Sequence, residues 1–109
     1  MAKLNLYQQQ IRIGKLDWDI QVLPEDKRDE LDGRCSMPVE ATIEINPELD
    51  LFDELDTVLH EALHAIDLMR GLHLSEDQVT KLGNSLATLF VQNPWMITYI
   101  NTRVKQIIL

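Results

Sequence analysis

A single cysteine, Cys35, serves the whole 109-residue chain, so no internal disulfide can support the fold. No apolar run approaches the roughly 20 residues that a bilayer crossing requires, and the opening MAKLNLYQQQ has no apolar stretch of signal-peptide length. These shortages predict a protein of the reducing cytoplasm with no membrane partner. Positive charge is also scarce: 10 basic residues face 18 acidic ones, a net charge of -8, which repels phosphate backbones and anionic lipid and excludes nucleic acid as a partner. What remains is ordinary. Hydrophobic residues at 45% and charged residues at 26% describe a folded chain, and its length allows one domain over residues 1–109.

Leu16 to Val22 alternates, with Leu16, Trp18, Ile20 and Val22 on one side, and predicts a half-buried strand. Upstream, Leu4 to Ile13 is left open: Ile11 and Ile13 are compatible with extension of that strand through Gly14 as a bulge, and Leu4 to Gln10 with a short helix. Pro24 ends the ladder, and the charged run Glu25 to Arg34 predicts a solvated loop. Val39 to Asn46 alternates again and predicts a second strand with one wet face. Beyond Pro47 the period becomes helical. Leu51, Leu55, Val58, Leu59, Ala62, Ile66 and Met69 form one stripe up to a C-capping Gly71. Ser75 to Gln78 is a capping box opening a second helix that Asn93-Pro94 ends, and a third helix is preferred from Trp95 onward. Strands first and helices after predict an α+β fold: a small twisted sheet, then a long helix and one or two more.

Inside the long helix lies His60-Glu61-Ala62-Leu63-His64, the pattern H-E-x-x-H. Four residues on a helix put the two imidazoles about 40° apart and one turn along, so both can address one ion. Glu61, roughly 100° round from His60, lies beside that ion, where a carboxylate can take a proton from water. The apolar stripe centres near 205° from His60, so the wheel predicts histidines turned away from the packed side.

Thr57 to Ile66 around this motif resembles the zincin metallopeptidase signature, and the segment resembles the small zincin-like metallopeptidases of phages and prophages over roughly residues 39 to 94, including the Asn93-Pro94 end of the second helix. The resemblance implies zinc held by His60 and His64, Glu61 as general base, and Ala41 to Ile45 as the edge strand along which an extended peptide lies. It implies a metallopeptidase acting on a peptide or protein. The alternative is a zincin-fold binding module of phage origin with structural or vestigial zinc. The metzincin continuation is excluded, because Asp67 and Arg70 stand where its glycine and third histidine would be.

A catalytic zinc needs a third protein ligand. Glu76 is assigned over His73 and Asp77: it shares the second helix's stripe with Val79, Gly83, Leu86 and Phe90, whereas Asp77 lies with Thr80, Lys81 and Asn84. Gly83 on that stripe allows close approach to the first helix. Glu76 also matches the acidic residue opening the post-motif helix in the resembling family, although twelve residues from His64 is short for the gluzincin pattern. His73 in the Gly71-Leu72-His73 turn is the rival. Asp67 is open between an acceptor for a ligating imidazole and a solvated acid. Tyr99 is a candidate oxyanion donor, Trp18 and Trp95 are expected in the core or an interface, and Asp50, Asp53, Glu54 and Asp56 complement the helix dipole.

Overall fold

The computed structural model describes residues 4–36 and 41–109. After a 3-10 turn at Leu6–Gln8, β1 (Gln10–Ile13) and β2 (Leu16–Val22) form an antiparallel hairpin with Ile11 opposite Trp18 and Ile13 opposite Leu16. Gly14 at φ 63 fills the first of the two loop positions, where a tight hairpin needs a residue free to adopt positive φ. The open question upstream of Leu16 is thereby answered: Leu6 to Gln8 is a short 3-10 turn, and Ile11 and Ile13 lie in a strand of their own.

The charged run is not wholly loop. A 3-10 turn at Glu25–Lys27 leads to β3 (Gly33–Ser36), and β4 (Thr42–Ile45) then inserts between β2 and β3, giving the order β1-β2-β4-β3. β4 runs parallel to β2, with Ile20 beside Ile43, and antiparallel to β3, with Arg34 opposite Glu44. That cross-strand pair explains the concealment of β3: Arg34 Nε donates to Glu44 Oε1 at 2.6 Å, so charges that read as solvated are partners across a ladder. Ala41 to Ile45 is therefore not the edge; β3 is. Val39 and Glu40 of the expected strand lie outside the described residues. Nor is the polar side of β4 wet, because Thr42 and Asn46 are buried. Asn46 donates its amide to the Arg28 carbonyl at 3.3 Å and accepts the Glu48 N–H at 2.9 Å, which folds the preceding loop over that side.

Three helices follow. α1 (Leu51–Arg70) begins where Asp50 accepts the Asp53 N–H at 2.8 Å and ends at Gly71 in the left-handed conformation, φ 63. α2 (Glu76–Gln92) carries the complete Ser75/Gln78 capping box. α3 (Pro94–Ile108) starts on a proline, which suits a first helical position. The fold is α+β, as the element order implied. α1 packs on the sheet over a core of Trp18, Ile20, Ile43, Ile45 and Ala65, and α2 lies along α1. Among the described elements α3 packs against α2 alone, and it buries none of its residues. Trp18 is a core aromatic, but Trp95 is exposed. Among the described residues no helix is long and apolar enough to cross a membrane.

The packed face of α1 is displaced from the expected stripe. Its buried residues are Thr57, Glu61 and Ala65, while Leu51 at one end of the predicted stripe is 87% exposed. Two glycines account for the shift. A Cβ on Gly33 would lie 2.7 Å from Thr57 Cγ2, so its absence lets β3 press against the Glu61 side of the helix. A Cβ on Gly83 would lie 3.2 Å from His60 Cα, so its absence lets α2 press against the His60 side. The histidines thus sit in a cleft between neighbours.

Candidate metal centre

His60 and His64 rise one turn apart on α1, their rings edge to face with centroids 4.7 Å apart. Their Nε2 atoms approach to 3.1 Å. Both point at the carboxylate of Glu76, the first residue of α2: Oε1 lies 2.8 Å from His60 Nε2 and Oε2 lies 2.8 Å from His64 Nε2. Three donor groups from two helices therefore converge on one point. Ligand atoms on a tetrahedral zinc, each about 2.1 Å from the ion, stand about 3.4 Å apart; the triangle of groups outlined here is tighter, with the imidazole nitrogens at 3.1 Å and each Glu76 oxygen at hydrogen-bond distance from a different imidazole. The histidine side chains are largely enclosed, whereas that of Glu76 is 69% exposed and free to open or close the triangle. The rivals of Glu76 go elsewhere. Asp77 pairs with Lys81 at 2.9 Å on the outer side of α2, and His73, in the left-handed conformation at φ 58, lines neither cavity beside the triangle.

Glu61 belongs to the same group, since its carboxylate and the two imidazoles lie within 4.8 Å of one another. It is only 4% exposed, wedged between α1 and β3. Burial first, and the negative charge of Glu76 second, push its pKa from 4.5 up to about 7. A carboxyl that titrates near neutrality is suited to accept a proton and return it. Cys35 on β3 is the opposite case: burial, then the neighbouring Glu61 charge, raises its thiol to about 12, which leaves it un-ionised and a poor nucleophile or ligand.

A cleft crosses this group along the β3 wall. On the His64 side a cavity of about 480 Å³ is lined by Leu31, Leu68, Arg34 and Cys35. On the His60 side a cavity of about 320 Å³ is lined by Glu30, Asp32, Asp56 and Thr80, and both cavities include Leu31, Gly33, Glu61 and Glu76. Asp67 lines the His64 side, but its Oδ2 accepts the Leu74 N–H at 3.3 Å and so fastens the connection between α1 and α2. Tyr99 stands on α3 against Trp95 and Arg103 and lines neither cavity.

No family model, curated protein or solved structure matches the chain. The chemistry of the site therefore rests on its own geometry. The structure brings together the four residues singled out in the sequence, His60, Glu61, His64 and Glu76; the wall, Gly33 and Arg34, was missed because the strand holding them sits in a charged run, and the one available signal was a glycine followed by alternating Arg34 and Ser36 around Cys35.

Proposed function

We propose that this chain is a zinc-dependent peptide hydrolase of zincin type. The observation that carries the reading is the Glu76 carboxylate spanning both histidine Nε2 atoms at 2.8 Å, a donor set of two imidazoles and one carboxylate with the third member recruited from a different helix. His60, His64 and Glu76 would hold the ion. Zinc in such a site supplies Lewis acidity, polarising a carbonyl oxygen and acidifying water. Glu61, beside the triangle and poised near neutrality, takes the proton from the attacking water and delivers it to the leaving amine. The outer edge of β3 carries unpaired backbone groups to which an extended peptide can add as a further strand, a role first read into Ala41 to Ile45. A cytoplasmic setting suits the lone un-ionised thiol.

The decisive comparison is wild type against Glu61→Gln in a peptide-library digest, with zinc measured on both. Equal zinc with hydrolysis by the wild type only supports the reading; equal digestion by both proteins rejects it. A second reading, a binding module with structural zinc, draws support from the bare apolar face of α3, and absence of digestion by either zinc-loaded protein would favour it.

A further inference from the structure

Two apolar surfaces are left uncovered, and they lie on different helices. The seven-residue stripe of α1 that runs from Leu51 to Met69 contains no buried residue. At its start the Leu6–Gln8 turn supplies a second wall, and two adjoining cavities of about 360 and 310 Å³ share Leu6 and Glu54. Leu51, Leu55 and Val58 form the α1 side of this groove, and Glu54 is the one charged residue among those that line it. α3 is the converse. Its stripe of Ile97, Ile100, Val104, Ile107 and Ile108 is exposed throughout, Ile107 to 81%. Its only charges, Arg103 and Lys105, stand on opposite flanks of that stripe. Arg103 lies over the Tyr99 ring and donates to Gln106 Oε1 at 2.7 Å, contacts that leave its charge in place. Seven of the fifteen residues of α3 are β-branched, and a helix of this length and composition is marginal in water by itself. The groove of its own chain is out of reach. His60 faces Gly83 of α2, and the α1 stripe lies roughly half a turn round from His60, so α3, continuing α2, leaves from the other side.

We propose that α3 docks in the Leu51–Val58 groove of a second copy of this chain, which returns its own α3 to the first, giving a closed two-fold dimer. Charge selects a second copy. The net charge of -8 includes +2 from α3, so the remainder of the chain carries -10, and Arg103 and Lys105 meet Glu54. Pairing α3 with α3 would instead gather four cations and no acid. Length agrees as well: Ile100 to Ile108 spans about 12 Å and Leu51 to Val58 about 10 Å, with Arg103 and Glu54 near the middle of each. The area suffices. The α3 stripe exposes on the order of 600 Å², as much as the largest patch of a typical monomer. Two reciprocal dockings, each covering a stripe and a groove, bury on the order of 2,000 Å², which a stable dimer requires. The placement suits one two-fold axis. Gly83 lies against His60 and Asn84 against Asp56, so α2 runs antiparallel to α1 and delivers α3 to the end of the molecule where α1 begins. Helix and groove thus share one end, and the histidine cleft stays open.

Sedimentation velocity of the full chain, from about 1 to about 200 µM, reads this association without reference to zinc or hydrolysis. Wild type should convert reversibly from monomer to dimer with a dissociation constant on the order of 10 µM, so that unfolding followed at about 1 µM reports the monomer with α3 bare. Leu51→Glu in the groove and Ile107→Glu on α3 alter exposed positions, and circular dichroism at about 1 µM should show both folded as wild type. Each should weaken pairing at least about tenfold. Glu54→Lys and Arg103→Glu should each weaken it by about threefold or more, and their combination should recover most of that loss, because the swapped charges attract again. A dimer lost in Ile107→Glu but intact in Leu51→Glu would overturn the proposal, since α3 would then be covered by something other than this groove. So would the absence of recovery in the charge swap. A chain that stays monomeric throughout the range rejects it too, whether or not that monomer adsorbs to vesicles of mixed zwitterionic and anionic lipid.

Discussion

α1 and α3 are both amphipathic helices, yet one is gripped and the other is bare. α1 is held on two sides by elements that come within backbone distance through Gly33 and Gly83, and the residues at those contacts are Thr57, Glu61 and His60. α3 exposes Ile97, Ile100, Val104 and Ile107 and, among the described elements, touches only α2. Rigidity is concentrated where the histidines stand, and it is obtained by removing side chains from the neighbours. The proposed metal centre would use that asymmetry, because its two histidines are held while the exposed Glu76 stays free to move.

The most severe test of the gripped region is metal binding. His60→Ala and His64→Ala should each abolish the one zinc per chain expected of wild type, and Glu76→Ala should weaken affinity by orders of magnitude, whereas Asp77→Ala and His73→Ala leave it unchanged; competitive titration against a chelating dye ranks the five. A large loss in His73→Ala with Glu76→Ala unaffected would transfer the third ligand.

Next in size is the buried carboxyl. In the metal-free protein Glu61 has a folded pKa of about 7 against 4.5 unfolded, so the native state holds the proton more firmly. Its contribution to stability is fully present below pH 4.5 and is lost as pH rises through 7, by at most on the order of 3 kcal/mol. Urea unfolding of chelated Glu61→Gln should therefore show higher stability than wild type at pH 8 and near-equality at pH 4. A wild-type curve that stays parallel to the variant across that range would contradict the burial argument.

Restoring the missing side chains is expected to cost less. Gly33→Ala places a methyl 2.7 Å from Thr57 Cγ2 and 2.9 Å from the Glu44 carbonyl and should destabilise by about 2 kcal/mol, and Gly83→Ala, against the His60 backbone at 3.2 Å, by about 1 kcal/mol together with weaker zinc binding. Val104→Ala on the bare helix should change the denaturation midpoint by less than about 0.5 kcal/mol equivalent. A larger loss there, dependent on protein concentration, would mean that α3 is covered in solution and that the contrast between the helices is incomplete.

The parts of the fold that were legible are those whose signals are local. Asp50 and Gly71 cap α1, Ser75 and Gln78 cap α2, and the alternation around Trp18 marks β2, each within a few residues. Glu76 was also recoverable from its place on the stripe of α2 that carries Val79 and Gly83, although its side chain is largely exposed and meets the histidines at the rim and not in the interior. β3 was not, since its charges are answered only by Glu44, ten residues away, across a ladder invisible in the linear order. The packed face of α1 was misplaced for a related reason. Hydropathy registers side chains, and here close packing follows from two positions that have none.

The connection between α1 and α2, closed by Gly71 and fastened by Asp67 to Leu74, keeps His60, His64 and Glu76 within seventeen consecutive residues. The centre is therefore a property of one helical hairpin, with short loop-closure distances, while the sheet that walls the cleft depends on joining β2 to β4 across some twenty residues. Assembly should run in that order, hairpin before sheet. Zinc present during refolding should then raise the folding arm of a chevron plot and leave the unfolding arm little changed, whereas a centre completed only after the sheet would slow unfolding alone.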